Sequence, residues 1–186
     1  MRGRTDFYGG GIPWLKSGEV ANPMILSTEE TITESGLAES SAWLVPAGTV
    51  VIAMYGATAG QIGYLGKSMA TNQAVLALIA DEEVADSRFL YHWLMSRSQT
   101  LKTKATGAAQ PNLSKAVVLR EAGFPSIELM RQREIAAVLD SLSAAAEALA
   151  NELGTLRAFR SSLLTALLSQ TITIPEAYDA VLEVAA

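Results

Sequence analysis

Cysteine is absent from these 186 residues, and histidine occurs once, at His92. The first absence excludes a disulfide framework, a thiolate nucleophile and a Cys-ligated zinc site, and it suits a reducing cytosol. The second means that a His-dependent triad or zinc cluster would have to be built from one imidazole plus carboxylates. His92 stands in Phe89-Leu90-Tyr91-His92-Trp93-Leu94, an apolar helix-like segment in which a packed histidine is the simpler reading. Long hydrophobic runs are missing as well. None reaches the roughly 20 residues that a spanning helix needs, and Met1-Arg2-Gly3-Arg4-Thr5-Asp6 is not followed by the apolar core of a signal peptide. A soluble, cytoplasmic protein without a membrane partner is expected.

What is present is enough apolar material to fold: 49% hydrophobic and 18% charged residues place the chain outside the disordered class. The most informative stretch is Thr49 to Gln73. Val50, Val51, Ile52, Ala53 and Met54 form a short β-rich run, and Gly56, Gly60, Gly63 and Gly66 then punctuate a turn-rich loop that carries Tyr55, Ala57, Thr58 and Gln61. Small residues there permit close backbone approach, and the hydroxyl and amide offer hydrogen bonds to something polar. A phosphate-cradling P-loop is the nearest alternative, because Gly66-Lys67-Ser68 supplies its end. The first glycine that motif requires falls on Gln61, and no Asp-terminated apolar strand nearby offers a magnesium partner, so the sequence argues against nucleotide hydrolysis. Asn72 and Gln73 precede an apolar strand, Ala74 to Ile79, and are read as amides that satisfy backbone groups at its entrance.

The net charge of -5 is unevenly spread. Residues 1–125 hold ten Lys/Arg against eleven Asp/Glu, whereas residues 126–186 hold four against eight. From Arg88 to Arg120, six cations (Arg88, Arg97, Lys102, Lys104, Lys115 and Arg120) occur without an acid. This stretch is either an ordinary solvated face or a phosphate-binding patch. The segment Ala105 to Lys115 mixes cations, amides and hydroxyls, groups suited to phosphates and base edges. Glu82 and Glu83, the obvious carboxylate pair, read as part of a solvated acidic turn.

Short strands and turns before the Val50 run, the Ala74 strand and a helix over Ser87 to Leu101 capped by Asp86 or Ser87 together predict an α+β domain. From Ser126, a possible cap, a proline-free helix is expected to about Gln170, about 65 Å at 1.5 Å per residue. Ile135, Leu142, Leu149, Leu156 and Leu163 recur every seven residues, and Leu139, Ala146, Leu153, Arg160 and Leu167 follow each by four. These are coiled-coil d and a positions. Arg160 is the one charged a residue, and Gly154 at a b position marks a candidate bend. A stripe of this length favours a partner helix from another chain over packing on its own domain.

Five words of the sequence, in order, carry a resemblance. They are Ile12-Pro13-Trp14-Leu15-Lys16-Ser17-Gly18, Thr33-Glu34-Ser35-Gly36-Leu37, Ala53-Met54-Tyr55-Gly56-Ala57-Thr58, Ala70-Thr71-Asn72-Gln73 and Gln110-Pro111-Asn112-Leu113-Ser114, with Gln132-Arg133-Glu134-Ile135 opening the helix. Together they resemble the specificity subunits of type I restriction-modification systems, in particular a half-length form. The resemblance implies a β-rich target recognition domain at 1–125, a conserved spacer helix forming a coiled coil at 126–170, and a tail at 171–186. It also implies double-stranded DNA as ligand, with methyltransferase subunits and a restriction subunit as partners. Catalysis is then expected on those partners, with S-adenosylmethionine, ATP and magnesium bound there and no cofactor on this chain. A homodimer joined through the long helix would read a bipartite palindromic target.

Lys16, Tyr55, Thr58, Lys67, Lys102, Lys104, Gln110, Asn112 and Lys115 are the candidate DNA contacts, with lysines on phosphates and Gln110 and Asn112 suited to adenine. Ile135, Leu139, Leu142, Leu149, Leu153, Leu156, Arg160, Leu163 and Leu167 are the candidate partner-helix residues. Two departures stand out. Relatives carry a further strand before the Phe7-Tyr8-Gly9-Gly10-Gly11 turn, so the chain is either a trimmed working subunit or a truncated remnant. Arg131 stands where relatives commonly have Glu. A coiled-coil assembly adaptor whose head binds a protein or small ligand is the alternative from a different class.

Overall fold

The computed structural model describes residues 4–20, 24–105 and 112–173. Gln110 and the tail from residue 174 lie outside the described residues. Two compact units divide the chain, Met1–Ala137 and Val138–Ala186.

The first unit is built on two sheets. Its strands are β1 (Tyr8–Leu15), β2 (Thr31–Ile32), β3 (Trp43–Val45), β4 (Val50–Ala53), β5 (Ile62–Tyr64), β6 (Met69–Thr71) and β7 (Val75–Leu78). One sheet has the order β2-β1-β6-β3 and the other β5-β4-β7. Among these named strands β1 and β6 pair in parallel and the other pairs are antiparallel. The helices α1 (Glu34–Ala38), α2 (Ser87–Ala105) and α3 (Lys115–Ala122) also belong to this unit.

The apolar run at Val50 becomes β4 because both of its faces are covered. Val50 and Ile52 enter a core shared with Leu94 and Leu101 of α2 and Val118 of α3. Val51 and Ala53 enter a second core with Leu15 of β1 and Met69 of β6. Period-two alternation thus serves two layers at once, which is why this strand shows no polar face in the sequence. All four residues are fully buried, and each branched side chain contributes roughly 1.5–3 kcal/mol relative to exposure. A third, smaller cluster of Trp14, Ile32, Ala42 and Ala70 lies on the other face of the first sheet, with Leu37 of α1 packed against it.

The structure departs from the sequence reading in several places. The glycine-spaced segment is not all loop: a 3-10 turn at Gly56–Thr58 leads into β5. Of the Phe7 to Gly11 turn, Phe7 ends a 3-10 turn and Tyr8 to Gly11 form a bulge inside β1, where Tyr8 and Ile12 both face Ile32 across the ladder. A Cβ on Gly10 would overlap the Ile32 carbonyl, so the bulge needs glycine there. α2 extends to Ala105, and Asp86 is its cap, with the Phe89 N–H donating to Asp86 Oδ1 at 2.9 Å. The Ser87 hydroxyl is engaged elsewhere, 2.9 Å from the Tyr64 hydroxyl.

α3 is a helix that the sequence reading does not include. Its signals are ordinary ones: Ser114 accepts from Val117 N–H at the start, and Gly123 closes the end in the left-handed region with φ of 40°. The final helix, α4, spans Leu129–Leu168, 40 residues, and begins three residues after Ser126. The Pro125 to Glu128 segment stays outside it because the Ile127 carbonyl is held by the Gln132 side chain at 2.7 Å. α4 is continuous through Gly154.

In the second unit, α4 continues from Val138 without burying a single described side chain. Leu142, Leu149, Leu153, Leu156 and Leu163 are between 39% and 66% exposed. Alanine, leucine and glutamate sustain the helix by propensity, but nothing among the described residues of this unit covers the leucine stripe.

Candidate nucleic-acid interface

The turn after β4 gathers distant segments at one end of the first unit. Tyr55 bridges to Asn112 in a β-bridge, and the Leu113 N–H donates to the Met54 carbonyl at 2.8 Å. Thr58 Oγ1 donates to the Ser17 carbonyl at 2.8 Å, tying this turn to the residue after Lys16. Gly60, with φ of +85°, sits so close to α2 that a Cβ would lie 2.8 Å from the Lys102 backbone nitrogen. Small residues in the glycine-spaced turn therefore serve close packing against the end of a helix. Tyr55, Thr58, Lys102 and Asn112, and through Ser17 also Lys16, are brought together here. The Thr58 hydroxyl proton is already used, so its part is to hold the turn.

Charge in this region is more selective than composition suggests. Arg88 stacks over the rings of Tyr64 and Tyr91, at 4.5 and 4.9 Å from their centroids, and Arg97 lies 4.6 Å from that of Trp93. These two arginines serve the α2 packing surface and leave the run of six cations as a smaller exposed set. Lys102 and Lys104 occupy the last turn of α2, both exposed, where the helix dipole favours cations. Lys104 Nζ lies 4.0 Å from Glu121, an exposed pair of small energetic weight. Lys115 is exposed at the first position of α3.

Lys16 is held by two carboxylates, Glu30 at 2.9 Å and Glu29 at 3.4 Å. The hydrogen bond that Lys16 donates to Glu30 raises its pKa above the ordinary lysine range, desolvation opposes this, and Glu29 adds to the rise. A phosphate contact by Lys16 would compete with both acids.

Lys67 lies elsewhere. The β4–β5 ladder puts Val50 opposite Tyr64 at one end and Ile52 opposite Ile62 at the other. Lys67 follows the first end and Tyr55 and Thr58 follow the second, so Lys67 is set apart from the Tyr55 cluster by the length of β4. No helix follows Gly66-Lys67-Ser68; β6 does, and Ser68 Oγ accepts from the Ala47 N–H at 3.2 Å. The P-loop reading is thereby excluded by geometry as well as spacing. Asn72 Oδ1 accepts the Ala74 N–H at 2.9 Å, the strand-entrance role read from the sequence. His92 packs edge-on to Tyr91, with centroids 5.2 Å apart. Among the described residues no group of three or more His, Cys, Asp and Glu is placed to hold a metal ion. The sequence reading missed the partners of Gln132, a buried amide whose only local signal is a polar residue at the core-facing start of an apolar helix.

The model of the type I restriction modification DNA specificity domain matches residues 5–155, and the chain belongs to that family. The specificity subunit of the type I restriction enzyme EcoR124I/EcoR124II from Escherichia coli is 27% identical over 146 residues, covering 75% of this chain and 35% of that protein.

Among solved structures, a chain of a type I R-M system described for its assembly and conformational transition superposes with a TM-score of 0.66 at 17% identity, over 89% of this chain and 40% of that one. The HsdS subunit from Thermoanaerobacter tengcongensis gives 0.55 at 17% identity over 78% of this chain and 34% of that one. The S subunit from M. genitalium gives 0.55 at 18% identity over 88% and 40%. The fold is shared with these chains, and this chain spans about a third of the curated relative's length.

Proposed function

We propose that the chain recognises double-stranded DNA as the specificity component of a type I restriction-modification complex and carries no catalytic centre of its own. Methyltransferase subunits that bind S-adenosylmethionine would methylate adenine at the site it selects. A restriction subunit with ATP and magnesium would act on unmodified DNA, and the assembly would work in the cytoplasm. The observation that carries the proposal is the family match over residues 5–155, most of the chain. The arrangement of Tyr55, Asn112 and Lys102 around one turn is consistent with it, since amides read base edges while lysines hold phosphates.

The uncovered leucines of α4 support pairing of two copies through that helix, which gives a two-fold assembly and a bipartite palindromic target. Fluorescence anisotropy with the chain assembled on its methyltransferase subunits tests the reading. One duplex sequence should bind about a thousandfold or more tighter than a scrambled one, the usual range for specific sites. Equal affinity for all duplexes, or binding that ignores salt, would instead fit an adaptor that contacts protein.

A further inference from the structure

The acids that surround Lys16 are set in place by backbone bonds. Glu19 accepts the Lys16 backbone N–H through Oε2 at 3.2 Å and the Glu29 backbone N–H through Oε1 at 2.7 Å, so one carboxylate clamps both segments. Thr28 and Glu30 lie against the end of β1. The Trp14 N–H is 3.0 Å from the Glu30 carbonyl and 3.1 Å from Thr28 Oγ1, and that hydroxyl donates to the same carbonyl at 2.6 Å. Into this frame Lys16 Nζ donates to Glu30 at 2.9 Å and to Glu29 at 3.4 Å. An ordinary exposed ion pair loses side-chain entropy to hold its geometry; here the backbones on both sides are already fixed.

Stability is a small part of what these pairs supply, because the Lys16, Glu30 and Glu29 side chains are 33%, 45% and 77% exposed. Their position is more informative. The Ser17 carbonyl accepts from Thr58, so Lys16 is one residue from a bond to the turn that gathers Tyr55, Asn112 and Lys102. A surface that only had to attract phosphates would do so better without Glu29 and Glu30, which neutralise this lysine and add a charge of the wrong sign. Groups that oppose a competing binding mode raise specificity while they lower affinity.

We propose that Glu29 and Glu30 are specificity-determining residues that hold Lys16 off phosphates in loose, sequence-independent encounters with DNA. Only a duplex seated in register on the Tyr55 turn holds a phosphate close enough to draw Lys16 away from both acids. A diffusely bound duplex meets the acids and is repelled. The inference rests on the function proposed above and names how that site discriminates.

The test is fluorescence anisotropy of the chain assembled on its methyltransferase subunits, with the preferred duplex and a scrambled one, across a salt series. Glu29→Gln combined with Glu30→Gln should tighten scrambled binding about tenfold, the upper range for two exposed pairs. Its salt slope should steepen by about one unit, since a freed lysine reaches one more phosphate. Binding of the preferred duplex should change less than about threefold, so discrimination falls. Lys16→Met should weaken the preferred duplex about tenfold, a charged hydrogen bond less the ion pairs given up, and leave the scrambled one unchanged. Thermal melts show whether each variant folds; if the double variant does not, Lys16→Met decides. An equal change on both duplexes, or none on either, overturns the proposal and makes these pairs structural contacts. A wild-type complex that prefers no duplex removes the proposed function and this inference together. A wild type that discriminates, beside variants that do so equally well, removes this inference alone.

Discussion

Gln132 on α4 accepts the backbone N–H of Asp86 through Oε1 at 3.0 Å, joining the start of the long helix to the residue that caps α2. Its Nε2 donates to the carbonyls of Val84 and Ile127 at 3.0 and 2.7 Å. The side chain is 1% exposed. One amide therefore serves three backbone groups that have little access to water, and Ala136, one turn further on, is buried with it.

Gln132→Ala is expected to lower stability by roughly 2–4 kcal/mol, because stranded buried donors and acceptors cost more than a net hydrogen bond gains. Gln132→Glu should be at least as damaging, since it replaces the donor to two carbonyls by an oxygen. Urea denaturation of the full chain measures both; a loss below about 1 kcal/mol would place these bonds among the replaceable ones.

Gly60→Ala should destabilise the head by more than an ordinary Gly→Ala change. The residue has φ of +85°, and its new Cβ would press on Lys102 N at 2.8 Å. A backbone conformation unfavourable to alanine costs about 1–3 kcal/mol before the clash is counted. Gly154→Ala, an exposed helical position with open space around it, is the control and should stabilise α4 by about 0.5–1 kcal/mol. Thermal melts of the two variants should move in opposite directions.

The Lys16 ion pairs carry a pH signature. A lysine whose folded pKa is raised contributes stability in full below its unfolded value of 10.5, and loses it as pH rises through the folded value. The difference in stability between wild type and Lys16→Met should therefore be constant from neutral pH to about 9.5 and shrink above 10.5. A difference that disappears between pH 7 and 9 would show that the pairing does not hold in solution.

Much of the fold was legible because its signals are local. The Val50 run, the Asp86 cap and the seven-residue leucine spacing each depend on a few neighbouring residues, and each became the element expected. The Gly56 to Gly66 segment was less legible, since β5 within it is stabilised by β4 across the ladder and by core residues far away in sequence. Arg88 and Arg97 looked like part of a phosphate-binding patch because composition counts charges and cannot show the rings beneath them. The candidate contacts were drawn together only in part: Tyr55, Thr58, Lys102 and Asn112 meet around one turn, whereas Lys67 sits beyond the other end of β4. Two of the three partners of Gln132 lie 46 and 48 residues away, a distance over which no sequence period operates.

Reversing Lys102 and Lys104 to Glu is expected to weaken the assembled complex on every DNA sequence alike. The slope of log affinity against log salt should fall by one to two units, about 0.9 for each phosphate contact removed. Loss confined to one sequence, with an unchanged slope, would move these lysines from backbone contacts to base reading.

Leu149→Asp combined with Leu156→Asp should convert a dimer to a monomer, because both leucines are more than half exposed on the uncovered stripe. Light scattering measures the mass, and the melting of the head should stay where it was. A wild-type chain that is monomeric alone, with DNA and with methyltransferase subunits removes the homodimer.

The central claim is that this chain selects the sequence its partners modify. Methylation-sensitive sequencing of DNA from cells expressing the chain with its methyltransferase subunits, against cells expressing those subunits alone, tests it most directly. The account predicts methylated adenines at a single bipartite palindromic sequence that appear only when the chain is present. An assembled complex that leaves DNA unmethylated, or the same methylation pattern without the chain, would contradict it.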